Sequence, residues 1–304
     1  MEFFKADTKI EFMRQRKWAG TFSAIIFLAS IISLSVYGLN LGLDFTGGTQ
    51  LEVSFTQPVD TSAIRKNLAD QGFPQAVVQV YDVHHISVRV APRKELIQEQ
   101  LKEKLITVMP GGSIGSLDYI GPQVGQQLMM DGILVILVAL IATMIYIALR
   151  FEFRFALSAA IALIHDPVLI LGIFSFFHLE FNLVVLAAVL TVIGYSLNDT
   201  IVVYDRIREN FCKVRRANPT EIVDLSINQT LSRSIMTSGL TLIVVITLFI
   251  FGGITLRAFA LALIIGIVIG TYSSIYIAGS LAVIFGLDRQ HLVRSTKKIN
   301  GYLS

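Results

Sequence analysis

The chain has 304 residues, of which 54% are apolar and only 15% charged, against roughly a quarter charged in an average soluble domain. With a mean hydropathy of +0.67, that balance excludes an ordinary globular enzyme. The formal net charge of +3 does not point to nucleic acid, because the basic residues fall in short segments between apolar runs, where they orient helices rather than bind phosphates.

Residues 1–18 form a basic segment (Lys5, Lys9, Arg14, Arg16, Lys17) ahead of an apolar run at 19–39. At about 20 residues this run is longer than a signal-peptide core of roughly 7 to 15, and it matches the length needed to cross a ~30 Å hydrocarbon layer. A first, uncleaved membrane helix is therefore expected.

Residues 40–131 are the only long stretch between apolar runs, and they are expected to fold as a domain. Leu51, Val53 and Phe55 alternate as in a strand, and 62–70 has helical spacing closed by Gly72. Strands are expected at 77–81 and 86–90 around a His84, His85 turn, then a helix at 94–108 ending at Pro110 and Gly111, then a strand at 115–120. The order β-α-β-β-α-β is a ferredoxin-like α+β domain, an arrangement that names no activity by itself. His84 and His85 have only Asp82 near them as a further ligand, and a tight turn explains them equally well, so no metal and no cofactor are expected.

Residues 132–286 hold five further apolar runs, at 132–149, 155–177, 183–204, 235–251 and 256–285, and 287–304 form a polar tail. Arg150 and Arg154, then Arg206, Arg208, Lys213, Arg215 and Arg216, then Arg289, Arg294, Lys297 and Lys298 lie on the same side as the N-terminus. The positive-inside rule puts both termini in the cytosol and residues 40–131 outside it. Cys212, the single cysteine, forms no internal disulfide.

Charged residues at membrane depth usually face a bundle interior and mark function. The fourth apolar helix carries Thr191, Tyr195 and Asp199 at i, i+4 steps with Asn198 beside them, which stacks hydroxyls and a carboxylate on one face. The fifth is expected to begin near Arg233, Ser234, Thr237 and Ser238, with Arg233 in reach of Asp199. Low dielectric favours the protonated carboxyl and a guanidinium the ionised one, so the pair fits a proton relay. A static ion pair holding two helices in register fits as well. Asp166, between His165 and Pro167 in the third helix, is either a further relay member or a cap on a turn broken by the proline. Ala262, Gly266, Gly270, Ser274, Ala278 and Ala282 form a small-residue ridge on the sixth helix, a packing surface.

Two enzyme readings fail. No Gly-Lys pair exists for a phosphate-binding loop. An intramembrane aspartyl protease needs two facing carboxylates, but Asp205 is followed at once by Arg206 and the Gly42-Leu-Asp44 segment lies at the other side.

Together these segments resemble the SecF family of the bacterial SecDF protein-export complex, in the resistance-nodulation-division (RND) superfamily. The carriers are Gly42-Leu-Asp-Phe-Thr-Gly-Gly-Thr49, the run from Gly194 through Asn198, Asp199 and Tyr204 to Asn210, Arg233-Ser-Ile-Met-Thr-Ser-Gly239, and the run from Ile265 to Tyr276. Pro167 departs from the aliphatic residue expected after Asp166. The resemblance implies a multi-pass protein of the bacterial inner membrane that pairs with SecD and works beside the SecYEG channel with YajC. It would use the proton-motive force in late steps of preprotein export. It also implies that Asp199 and Arg233 lie on the proton path, with Asn198, Tyr195 and Thr191 around them. Gly47 and Gly48 permit the sharp turn after the first helix, and Asp44 is expected to cap that turn, making a coupling hinge. The alternatives are a proton-coupled small-molecule efflux subunit of the RND type and a purely structural assembly factor for SecD and the channel. Gly266 and Gly270 separate the latter from a relay, since it needs them and not Asp199.

Overall fold

The computed structural model describes residues 9–81, 83–91, 107, 109–214 and 217–286. The expected helix at 94–108 lies outside the described residues apart from Thr107, as do Asp82, Arg215, Arg216 and the basic tail. Two compact units are present. One comprises Leu41–Leu134 with Phe181–Leu183, and the other the described parts of Met1–Asn40, Val135–Glu180 and Val184–Ser304.

In the first unit, a strand β1 (Gly48–Phe55) buries Thr49, Leu51 and Val53 at every second position, as pleating requires of a strand with one covered face. Helix α2 (Thr61–Asp70) follows. Asp60 caps it by accepting from the N–H groups of Ser62 and Ala63, and Ile64 and Leu68, one turn apart, face the sheet. Strands β2 (Val77–Val80), β3 (His85–Val90) and β4 (Gly112–Ile120) complete an antiparallel sheet in the order β2-β3-β1-β4. Leu51 stands opposite Val88 on one side and Leu117 on the other. The first two strands in sequence are thus separated by the third, the spatial order of a split βαβ unit.

Among the described residues, six helices are long and apolar enough to span a membrane: α1 (Arg16–Val36), α3 (Pro122–Arg150), α4 (Phe153–Phe176), α5 (Leu183–Lys213), α6 (Pro219–Phe251) and α7, which opens as Gly253–Tyr272, continues through a π-helical turn Ser273–Ala278 and closes as Gly279–Ile284. The packing of α1 inverts that of a soluble helix. The buried side chains of α1 are Ser23, Ser30 and Ser33, while Trp18, Phe22, Ile25, Leu28 and Ile32 point outwards. Apolar groups gain nothing by leaving lipid, whereas small residues let backbones approach and polar ones bond across helices. A Cβ on Gly172 would fall 2.2 Å from that of Ser30, and Ser33 Oγ donates to Ser175 Oγ at 2.9 Å.

Helix boundaries extend past the apolar runs. The run expected to start the fifth helix near Arg233 is the second half of α6, which begins at Pro219 behind an Asn218/Glu221 capping box. Its first half is amphipathic, burying Ile222, Val223, Ile227 and Leu231 and exposing polar residues, so hydropathy alone does not register it. Helix α3 likewise begins at Pro122, inside the stretch read as domain 40–131. Arg206, Arg208 and Cys212 lie on α5 rather than in a loop.

At the end of the second unit that holds Phe12 and Phe151, an apolar core gathers Phe155, Tyr204, Ile207, Phe211 and Ile227. Leu51→Ala, which empties the centre of the sheet core in the other unit, is expected to cost about 3 kcal/mol. Hydrogen exchange of the full chain in lipid should then show β1 and β3 amides opening roughly a hundredfold faster while α5 is unchanged; equal β1 rates would contradict this packing.

Candidate functional site in the helical unit

Helix α5 carries polar side chains in two directions. Towards α6, Tyr195 and Asp199, one turn apart, meet Ser238 and Ser234, also one turn apart on the antiparallel neighbour. Ser234 Oγ donates to Asp199 Oδ1 at 2.5 Å. The Tyr195 hydroxyl donates to Ser238 Oγ at 3.1 Å, and Ser238 and Thr271 hydroxyls are 2.8 Å apart. Because Thr271 spends its proton on the Ile267 carbonyl, Ser238 is the donor to Thr271, and the chain runs one way from Tyr195 into α7.

The second oxygen of Asp199 is buried and has no hydrogen-bond partner among the described residues. Arg233 does not form the expected contact. It is exposed and makes no ion pair with Asp199 among the described residues, although its charge acts on the carboxylate through space. The geometric reason is helical: Arg233 and Ser234 are neighbours in sequence and so about 100° apart around α6, and it is Ser234 that faces α5. Thr191 donates to the Ala187 carbonyl of its own helix, and Asn198 is exposed. The structure thus gathers Asp199 and Tyr195 of the expected relay and leaves Thr191 and Asn198 at its edge.

Towards α7, Val192, Ser196 and Thr200 meet the small-residue ridge. A Cβ on Gly266 would fall 2.2 Å from Val192 Cγ2, and one on Gly270 3.0 Å from Ser196 Cβ. Ser274 donates to the Ser196 carbonyl at 3.3 Å and lies 2.9 Å from Thr200 Oγ1. Ser274 sits in the π-helical turn, a widening that recurs at functional sites.

On a third side stands α4, continuous through Pro167. Asp166 does not cap a broken turn: its Oδ2 accepts from Ser196 Oγ at 2.5 Å and its Oδ1 lies 2.9 Å from His165 Nδ1. Asp205, the carboxylate of the rejected protease reading, forms an ion pair with Arg150 at 3.2 Å.

The Asp44 segment belongs to the other unit. Leu43–Thr46 forms a single helical turn, and Gly47 and Gly48 follow at φ 65° and 122°, where a side chain is strained. A Cβ on Gly47 would meet Pro122 Cα at 3.1 Å, and one on Gly125 would meet the Gly47 nitrogen at 2.8 Å. Asp44 does not cap its own turn. Its Oδ2 accepts from the N–H of Leu183 at 2.8 Å, the first residue of α5, where a carboxylate also favours the helix dipole. Phe45 stacks on Phe181, and Gly42 N–H donates to the Phe181 carbonyl.

The family model for the protein export membrane protein SecD/SecF, C-terminal, matches residues 100–288, and that of the SecD/SecF GG motif matches residues 32–59. The chain belongs to the SecD/SecF protein-export membrane family. It is 47% identical to the protein translocase subunit SecF of Vibrio alginolyticus over 96% of its own length and 95% of that protein's. To the SecF of Pseudomonas aeruginosa it is 41% identical, over 93% and 94%. It superposes on the crystal structure of SecDF from Thermus thermophilus with a TM-score of 0.86 at 35% identity, covering 93% of this chain and 39% of that one.

Within this SecD/SecF frame, the GG motif match contains Asp44, Gly47 and Gly48, and the C-terminal match contains both polar faces of α5. Ser196, Thr200 and Thr271 were not singled out as site residues in the sequence, although Ser196 and Thr200 lie in the run from Gly194 to Asn210 and Thr271 in the run from Ile265 to Tyr276. Asp44→Ala removes the α5 cap, at a cost of about 1 kcal/mol. The Leu183 amide is then expected to exchange about fivefold faster, and an unchanged rate would mean that the carboxylate is not its acceptor.

Proposed function

We propose that this chain is the SecF-type half of a proton-driven export machine in the bacterial inner membrane. It pairs with a SecD-type subunit, stands beside the SecYEG channel with YajC as accessory, and promotes late steps of preprotein export. Both termini are cytoplasmic in this reading, and the domain that follows α1 lies outside. Nothing in the cycle breaks a bond in the preprotein, so the protein is not an enzyme.

The observation that carries the reading is the half-satisfied carboxylate of Asp199. A carboxyl with a free buried oxygen is open to a proton or to a donor from a neighbouring subunit. Arg233, at the same level and charged at all accessible pH, supports ionisation whenever it swings towards Asp199, so proton occupancy can follow helix position. Tyr195, Ser238 and Thr271 supply a hydroxyl chain beside it. A membrane potential delivers about 2.3 kcal/mol per charge per 100 mV, enough to shift a two-state equilibrium by a factor of tens. Asp44, Gly47 and Gly48 would pass that shift to the outer domain through the first residue of α5.

The test is export of a reporter preprotein from membrane vesicles carrying the chain with its SecD-type partner. Asp199→Asn is expected to leave assembly intact and abolish the proton-gradient-dependent component, and Ser234→Ala to reduce it several-fold. A fully active Asp199→Asn complex alongside an inactive Gly266→Leu complex would establish the purely structural role instead. Altered drug accumulation with normal secretion in a strain lacking the chain would establish efflux.

A further inference from the structure

Helices α1, α4 and α5 enclose a second polar chain that the reading above does not use. Ser23 Oγ lies 2.5 Å from His165 Nε2, His165 Nδ1 lies 2.9 Å from Asp166 Oδ1, and Ser196 Oγ donates to Asp166 Oδ2 at 2.5 Å. All four side chains are buried, Asp166 to 1% exposure, and the imidazole is stacked on Phe27. The chain is not sealed. Ser23 and His165 form part of the wall of a cavity of about 890 Å³ that also touches Arg16, Lys17, Phe27 and Tyr276. Ser23 is seven residues, about 10 Å of helix, from Arg16 at the terminus-bearing end of α1.

Hydrogen-bond roles fix the charge. Ser196 donates its only proton to Asp166, and the carboxylate takes its other bond from His165 Nδ1–H. Nε2 is then the ring's acceptor and receives the Ser23 hydroxyl proton. In that state the pair carries one negative charge, with no cation among its bonded neighbours. Burying such a charge is costly, and one added proton converts the pair into a neutral imidazolium–carboxylate couple.

We propose that Ser23, His165, Asp166 and Ser196 form a second proton-binding site, distinct from Asp199, that exchanges its proton with the α1/α4/α7 cavity through Ser23 and Nε2. In the uptake step a hydronium ion in the cavity gives its proton to Nε2 and leaves as water. The Ser23 hydroxyl turns to accept from Nε2–H, and its own proton swings to the Ala19 carbonyl one turn back, a common position for a helical serine. The Tyr272 hydroxyl already donates to that carbonyl at 2.8 Å, so proton uptake sets α1 and α7 in competition for one acceptor. Release reverses each step. The titratable and charged groups on the surrounding elements are Arg16 and Lys17 of α1, Arg154 of α4, Tyr195, Asp199, Tyr204, Asp205, Arg206, Arg208, Glu209, Cys212 and Lys213 of α5, and Arg257, Tyr272 and Tyr276 of α7 and its π-helical turn.

The site is tested on the full chain, labelled with ¹⁵N-histidine and assembled with its SecD-type partner in lipid nanodiscs, by solid-state NMR from about pH 5 to 9, the range in which histidine changes charge. His165 is assigned by the signal lost in His165→Gln. Its ring is expected to pass from one protonated nitrogen to two as pH falls. The doubly protonated signal should be lost near neutral pH in Asp166→Asn, a tenfold or greater drop in proton affinity. Asp199→Asn should leave the transition in place, which separates failure of this site from failure of the relay. Should Asp166→Asn not assemble, Ser196→Ala takes its place, with the transition moving to higher pH because the carboxylate loses a donor. A ring held in one state throughout, a transition indifferent to these variants, or one displaced by Asp199→Asn would each overturn the proposal.

Discussion

The approach of α7 to α5 is the constraint on which the rest of the helical unit depends. With no room for a Cβ at Gly266 against the Val192 side chain, that contact fixes where the α7-facing groups of α5 stand. The Thr200 hydroxyl and the Ser196 carbonyl both meet Ser274 because Gly270 and Ser274 continue the same four-residue step. Inside lipid there is no water to take over an unmet polar group, so the spacing of glycines on one helix decides which hydroxyls on its neighbour can exist at all. The opposite face of α5, turned to α6, is set by the same contact through the geometry of a single helix.

Asp199 and Asp166 stand on either side of this arrangement and show what separates a carboxylate held open from one held closed. Both accept a short bond from a serine on a facing helix. Asp166 has its second oxygen on an imidazole, and the pair it forms is complete within the chain. Asp199 has its second oxygen on nothing in the described residues, while an exposed arginine stands at the same level. In a low-dielectric surround the first arrangement has both oxygens hydrogen-bonded, and the second is completed by a proton, by movement of Arg233, or by a neighbouring subunit. The exposed flanks of α1, α3 and α6 are where lipid or such a subunit lies.

Much of this was legible in the sequence, and the failures share one cause. Six apolar runs gave six helices, the alternation at Leu51 and Val53 gave the central strand, and the small-residue steps gave the α7 ridge. Hydropathy failed where a helix leaves the apolar regime. The amphipathic residues 219–231 belong to α6, so Arg233 lies four turns inside its helix rather than at its start, and the angle that turns Ser234 and not Arg233 towards α5 was invisible. Side-chain partners across helices were the second gap. That Asp166 bonds Ser196 depends on the rotation of α4 relative to α5, which no single-helix pattern encodes. Asp44 was read as a local cap because sequence shows only local neighbours, and its partner is 139 residues away.

That distant partner matters mechanically. Helix α5 has 31 residues, about 46 Å of continuous hydrogen-bonded rod. Its first N–H is taken by Asp44, its middle is gripped by the glycine ridge, and its far end is fastened by Tyr204, which is bonded to Ser158 and to the Ala278 carbonyl, and by Asn210, bonded to Ser226 and Gln229. A rod held in this way does not absorb a displacement by fraying at one end. Beyond Asp44, Gly47 and Gly48 are the positions where the chain turns without side-chain strain.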